Sequence, residues 1–289
     1  MANEITKSSA SNVAQTKVSF TNFMTSKIMQ TKVNEILGDE KKAARFTSSI
    51  VSAVNNNPQL AECENMSILS GALLGESLNL SPSPQLGNYY LVPFKDKDRG
   101  LLATFQMGYK GYIQLAIRSG QYKKLNVLAI KEGELIKYDP LNEEIEVQLI
   151  DDEEKRENAK TIGYYAMFEY INGFRKTLYW SKKKMEKHAL QYSKGYAKKS
   201  GYTFWEKDFD AMAYKTMLRQ LISKWGIMSV EMQNAFEGDM AYIKEDGSKE
   251  YVDNEDLSQT TPEAEVKEEV KEEPKKEEKT KPLSLDDFE

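Results

Sequence analysis

One helical stretch restricts the fold more than any other part of the chain. Tyr214, Met217, Leu218, Leu221, Ile222 and Trp225 recur at i, i+3, i+4, i+7, i+8 and i+11, which writes a single apolar stripe. Such a stripe has to be covered by another layer. Thr203 and Glu206 have capping-box spacing, so the helix is expected to start at Thr203. Lys215 and Arg219 fall four apart on the face away from the stripe, where like charges cost an isolated helix about 0.2–0.5 kcal/mol. An anion is expected to compensate them.

A covering layer is written just upstream. Residues 164–171 and 174–180 flank Asn172-Gly173, the pair favoured in a two-residue type I′ hairpin turn. That register sets Glu169 opposite Lys176 and Met167 opposite Leu178. Residues 20–37 and 43–54 read as amphipathic helices, and Asn57-Pro58 opens a third. Residues 68–80 continue apolar, with Gly71 and Gly75 allowing close packing. Ser81-Pro82-Ser83-Pro84 then breaks the helical pattern, and residues 88–94 and 101–107 read as a hairpin. Its polar tip, carrying Lys95, Lys97 and Arg99, is a solvated turn or a DNA-touching finger. Gly108 and Gly111 flank Tyr109-Lys110 at a strand-to-helix corner where backbone can approach a ligand. A helix is expected over 112–119, a β-rich run over 125–130, an acidic strand and exposed linker over 143–157, and a last helical segment over 227–242.

Charge is distributed unevenly. Residues 174–226 hold thirteen Lys/Arg against four acids, a net +9, although the whole chain carries −5. These cations interleave with Tyr192, Tyr196, Tyr202, Phe204 and Trp205 in what reads as a basic loop leading into the helix. The alternatives are a solvated face with a mobile loop, or a surface that neutralises phosphates and stacks bases. On the second reading Lys182, Lys183, Lys198, Lys199, Lys215, Arg219 and Lys224 are assigned to phosphates, with Lys110, Lys123 and Lys124 as a second group near the glycine corner. Tyr109, Tyr112, Tyr202, Phe204 and Trp205 are candidates for bases or sugars, while Phe204 and Trp205 suit a core equally well.

Other chemistry is short of parts. No phosphate-loop motif occurs, so no ATP site is expected. A single histidine, His188, and a single cysteine, Cys63, are too few for a zinc site or a Cys/His or Ser/His/Asp centre. His188 reads as a surface residue or a DNA contact. Asp151, Glu153 and Lys155 copy a nuclease-like order, but the dense surrounding charge suits a solvated loop better. Lone Cys63 also excludes an internal disulfide and favours a reducing compartment. With no apolar signal core and no membrane-spanning run, a soluble cytoplasmic protein is expected.

Residues 1–17 are expected to be a flexible arm, residues 18–244 the folded domain, and residues 245–289 a disordered acidic tail. That tail holds 17 acids and 7 lysines, with too few apolar groups to offset the entropy of ordering. Its last residues, 283–289, regain hydrophobicity as a docking peptide or simply as a chain end.

Three separated blocks agree in order with one family. FQMGYKGYIQLAIRSGQY, the earlier NPQLAECENMSILSGALLGESLNLSPSPQLGNYYLVPF and the later WEKDFDAMAYKTMLRQLISKWG resemble the RecT family of phage single-strand annealing proteins, over roughly residues 20–236. The resemblance implies an α+β fold, a curved antiparallel β-sheet packed against helices, in the wider superfamily of annealing proteins. It implies a non-enzymatic DNA-binding, annealing and oligomerisation domain that forms rings or helical filaments, binds single-stranded DNA and pairs it with a complementary strand. No cofactor is implied, and the effect of magnesium stays open. A phage exonuclease is the partner the resemblance implies, while the acidic tail is expected either to compete weakly with DNA for the basic groove or to present its last residues to a partner such as a host single-strand binding protein. The alternatives are a passive single-stranded DNA-binding coat and a metal-dependent nuclease.

Overall fold

The computed structural model describes residues 18–201 and 203–251. The expected N-terminal arm, Tyr202 and the tail beyond residue 251 lie outside the described residues.

Short helices open the chain. α1 (Phe20–Thr25) and α2 (Lys27–Leu37) take the place of the one helix expected over 20–37. Ser26 divides them: its N–H donates back to Phe23 O while its Oγ accepts the Met29 N–H at 3.4 Å, capping α2. α3 (Glu40–Asn55) starts on an Asp39 cap and buries Ala43, Phe46, Ile50 and Val54. Asn57 and Pro58 open α4 (Pro58–Ala61) as expected, and α5 (Asn65–Ser77) follows.

β1 (Tyr89–Asp96) and β2 (Gly100–Met107) form the anticipated hairpin beneath α5. A Cβ on Gly75 would lie 2.3 Å from the Tyr89 ring, and one on Gly71 would lie 2.7 Å from Leu91. Both glycines are therefore needed for helix and sheet to touch. α6 (Tyr109–Arg118) leaves the glycine corner and ends before Gly120, whose φ is +66°.

β3 (Tyr122–Lys131), the two-stranded β4 (Leu135–Asp139) and β5 (Glu144–Val147), α7 (Glu153–Asn158), β6 (Thr161–Tyr170) and β7 (Arg175–Ser181) complete the middle. The linker expected within 143–157 thus contains a helix, started by Asp152, whose carboxylate accepts the Lys155 N–H.

The β6–β7 register differs by one residue from the sequence expectation. Phe168 faces Lys176, Glu169 faces Arg175 and Met167 faces Thr177. Tyr170 N–H donates to Phe174 O and Gly173 N–H to Tyr170 O, so the loop has three residues, with Gly173 at φ +87°. A one-residue shift exchanges the faces of paired side chains. Alternation along β6 places Tyr164, Ala166, Phe168 and Tyr170 together in the core.

The basic loop expected after β7 is helical. Ser181 caps α8 (Lys182–Tyr192), Ser193 caps α9 (Lys194–Ala197), and the Thr203–Glu206 capping box opens α10 (Phe204–Lys207). Asp208 then restarts the chain as α11 (Phe209–Trp225). α12 (Val230–Gly238), β8 (Ala241–Ile243) and β9 (Lys249–Tyr251) close the described chain. Pairing of β8 with β9 carries ordered structure past residue 244, where the folded domain was expected to end.

These elements make an α+β fold with antiparallel pairing in each sheet. One layer is built on the sheet β1-β2-β8-β9 with α1 to α6 and α12, and the other on β3-β6-β7 with α8 and α10. α11 serves both. Leu218 and Ile222 enter the first core, while Ala213, Met217 and Leu221 enter the second. Met217, Leu218, Leu221 and Ile222 are at most 1% exposed, each contributing about 1.5–3 kcal/mol of burial. A helix packed on both sides leaves no open face for Lys215.

Candidate nucleic-acid interface

The two layers meet along a seam of rings. From the first layer, β1 contributes half-buried Tyr90, and the glycine corner contributes half-buried Tyr109. From the second, Phe204 approaches Tyr90 with ring centroids 5.7 Å apart, and Tyr214 meets Tyr109 edge-on at 5.7 Å. Tyr214 continues the line to Tyr164 at 6.1 Å, and Tyr164 to Phe209 at 6.3 Å. Phe204 is 37% exposed, so part of this row faces solvent.

Cations flank the rings. Lys110 is exposed, and its stem runs beside Gly87, where an added Cβ would sit 3.3 Å from Lys110 Cδ. Lys207 Nζ lies 6.0 Å from the Phe204 centroid. Among the described residues neither lysine forms an ion pair. Lys182 is more engaged: its Nζ donates to Tyr164 Oη at 2.7 Å, stands 3.8 Å from Asp210 Oδ1, and lies 3.5 Å over the Phe209 ring. Burial pushes its pKa down although Asp210 resists, and Lys131 nearby adds repulsion. Asp208 also lies near the seam, but its carboxylate accepts the Ala211 N–H as a helix cap.

The corner that presents Tyr109 and Lys110 is tightly packed. A Cβ on Gly108 would come within 2.0 Å of Gly87 O, and one on Gly111 within 2.1 Å of Asn88 O. Gly108 N–H donates to Asn88 O at 2.9 Å. The backbone approach expected of these glycines is real, and it is made to the chain's own loop.

Three assigned residues sit elsewhere than the sequence suggested. Tyr112 is fully buried, with its ring 4.8 Å from Phe236, and its hydroxyl donates to Asp239 Oδ2 at 2.9 Å. Lys215 is 7% exposed, and its Nζ donates to Asp239 Oδ1 at 2.8 Å. Arg219 donates through Nη1 to Asp239 Oδ2 at 2.5 Å. The anion expected to compensate Lys215 and Arg219 is thus a carboxylate of the same chain. Burial opposes ionisation of Asp239, yet Lys215 and Arg219 beside it hold its carboxyl below the usual range. Burial likewise pushes Tyr112 well up, and Asp239 adds to the shift. In this arrangement Tyr112 and Lys215 are not at the surface.

The remaining assigned residues divide between other faces. Lys123 and Lys124 are exposed and share Glu169, at 2.6 and 3.8 Å. Lys183, Lys198 and Lys199 are exposed around α8 and α9, and Lys224 is exposed at the end of α11. Burial and then the nearby Lys224 lower the pKa of Lys184, which stands 4.5 Å over Trp180. Trp205 is core at 7% exposure. His188 is no surface residue: it is half-buried among Tyr192, Trp180 and Trp205, with centroids at 4.5, 5.5 and 6.5 Å.

Sequence reasoning missed Tyr90, Phe209, Tyr214 and Lys207 as seam residues. Tyr90 had a readable signal, because it alternates with buried Tyr89 and Leu91 in β1. Tyr214 looked like plain core because it sits in the apolar stripe.

Other surfaces suit a polyanion less well. A cavity of about 500 Å³ beside β5 and β7 is lined by Glu143, Glu144 and Glu146 as well as Lys137 and Arg175. Asp151, Asp152, Glu153 and Glu154 are exposed, and among the described residues no three potential metal ligands come together. No helix among them is long and apolar enough to cross a membrane.

Comparison with known proteins identifies related chains. The family model described as RecT family matches residues 44–279. YqaK of Bacillus subtilis strain 168, a protein without an assigned role, is 47% identical over 222 residues, covering 77% of this chain and 70% of its own. Protein RecT of Escherichia coli K12 is 28% identical over 216 residues, covering 74% and 77% respectively.

Proposed function

We propose, from the premise that this chain belongs to the RecT family and so has a role in recombination by single-strand annealing, that it binds single-stranded DNA along the aromatic seam and pairs it with a complementary strand without ATP. The observation that carries this reading is the row Tyr90, Phe204, Tyr109 and Tyr214 with Lys110 and Lys207 beside it. Rings stack on bases without regard to sequence, and unpaired cations replace the counterions of the phosphate chain. Annealing needs both: repulsion between two polyanions cancelled, and bases left free to find partners.

Lys110 and Lys207 beside the rings of one copy hold a strand only weakly. Copies set side by side in a ring or helical filament align their seams, so that many weak contacts act on one strand. The exposed Lys183, Lys198, Lys199 and Lys224 extend the positive surface, and Lys123 and Lys124 add to it when a phosphate displaces Glu169. Lys184 and Lys224 already repel each other, a cost that a bound phosphate removes. A phage exonuclease supplying the single strand and a host single-strand binding protein are the partners this role calls for, in the cytoplasm of the bacterial host.

The test is mixing the protein with two complementary oligonucleotides in nucleotide-free buffer, with and without magnesium. Faster duplex formation than spontaneous pairing, with long protein–DNA assemblies, is expected. Slower pairing would identify a passive coat, and loss of labelled DNA would identify a nuclease.

A further inference from the structure

We infer that Asp239 is a positioning residue for DNA contact: its buried carboxylate gathers Met107, Tyr112, Lys215 and Arg219, and so fixes the corner that presents Tyr109 and Lys110. The inference rests on the seam reading above and gives a role to a charged group that the reading leaves unused.

Asp239 caps the C-terminus of α12, and the next residue, Met240, takes φ +69° and donates its N–H to Phe105 O. The chain turns sharply there from α12 into β8, which brings the carboxylate under the end of β2. Oδ1 accepts the Met107 N–H at 2.9 Å and Lys215 Nζ at 2.8 Å. Oδ2 accepts the Tyr112 hydroxyl at 2.9 Å and Arg219 Nη1 at 2.5 Å. Met107 and Tyr112 bracket the corner, so one carboxylate holds both ends of the segment that carries Tyr109 and Lys110. Gly108 and Gly111 clamp the same segment against Gly87 and Asn88 from the other side. Between these anchors the backbone of Tyr109 and Lys110 has little freedom, and pre-set contacts cost less entropy on binding.

Charge supports the same conclusion. A buried ion pair is weak evidence of stabilisation, since well-packed apolar groups often serve as well. What apolar groups cannot supply is direction. Four donors converging on two oxygens set the orientation of β2, α6 and α11 around one point. Burial pushes the Lys215 pKa down against the pull of Asp239, so Arg219 beside the same oxygens is the cation that balances the carboxylate.

The experiment compares Tyr112→Phe, Lys110→Ala and the double variant in binding a labelled oligothymidylate at several salt concentrations, with thermal melts alongside. Tyr112→Phe removes one hydroxyl without emptying its core site. It should melt within about 3 °C of the wild type yet bind about 3- to 10-fold more weakly. The double variant should lose less than the product of the two single losses, because Tyr112→Phe acts through a corner that has already lost Lys110 and keeps only Tyr109. Wild-type affinity in Tyr112→Phe, or losses that multiply in the double variant, would overturn the positioning role alone. Full affinity in Lys110→Ala would overturn the seam reading and this inference with it. Should Tyr112→Phe lose its cooperative melt, Arg219→Lys, which keeps the charge and loses the fork, carries the same comparison.

Discussion

Acid should destabilise this protein through His188, and the effect can be worked from the structure. The imidazole is packed among Trp180 from β7, Tyr192 from its own helix and Trp205 from α10, with Arg219 of α11 and Lys184 of α8 as nearby cations. Burial first, then Arg219 and Lys184, pushes its pKa from 6.5 down to about 4. Above pH 6.5 the ring is neutral in both folded and unfolded chains, and it has no effect on the pH dependence. Between pH 6.5 and 4 the unfolded chain takes up a proton that the folded chain refuses, so stability falls by about 1.4 kcal/mol per pH unit. At pH 4.5 the accumulated loss is about 2.5 kcal/mol. The assay is urea unfolding at pH 7.0, 6.0, 5.0 and 4.5 on the wild type and on His188→Phe, which keeps an aromatic ring and removes the titration. Carboxylates elsewhere titrate in both proteins, so their contribution cancels in the difference. From pH 7.0 to 4.5 the wild type should lose about 2–3 kcal/mol more than His188→Phe. Parallel curves would refute the burial argument for His188.

Three further outcomes follow from the geometry. Asp239→Asn strands a buried lysine and should cost about 3–5 kcal/mol in denaturant unfolding, far more than an exposed substitution such as Asp151→Asn. Gly111→Ala forces a methyl against Asn88 O, which being backbone cannot rotate away, and should cost about 1–3 kcal/mol; a neutral result would mean the corner is loose. Lys110→Ala should weaken binding to all single-stranded sequences alike and reduce the log–log salt slope by about 0.7, and an unchanged slope would remove it from the phosphate path.

Much of the fold was legible because local signals agreed with tertiary demands. The Asn57-Pro58 helix start, the 203–206 capping box, the close-packing glycines and both hairpins are local in origin, and each is present. Where the reading slipped, a competing contact had decided. The β6–β7 register moved by one because the turn closes on Tyr170 and Phe174, a three-residue loop with Gly173 at φ +87°, rather than on a two-residue turn. Ser26 and Asp208 broke expected single helices because a side-chain cap competes locally with helix continuation. Lys215 and Arg219 were correctly read as needing an anion. That it would be Asp239, twenty residues beyond Arg219 and past a turn, had no signal in the helix itself. The seam was the least legible part, since its rings come from β1, α6, α10 and α11 and meet only once the two layers pack.

The central claim is a place: the DNA strand runs along the seam between the layers. Photo-crosslinking with oligonucleotides carrying 5-iododeoxyuridine, followed by peptide mapping, reads that place directly because the reaction favours aromatic side chains in contact with a base. Crosslinks should fall on Tyr90, Tyr109, Phe204 or Tyr214 and disappear at high salt. Crosslinks confined to the β4–β5 hairpin or to α1 through α3, with these four residues unmodified, would contradict the account.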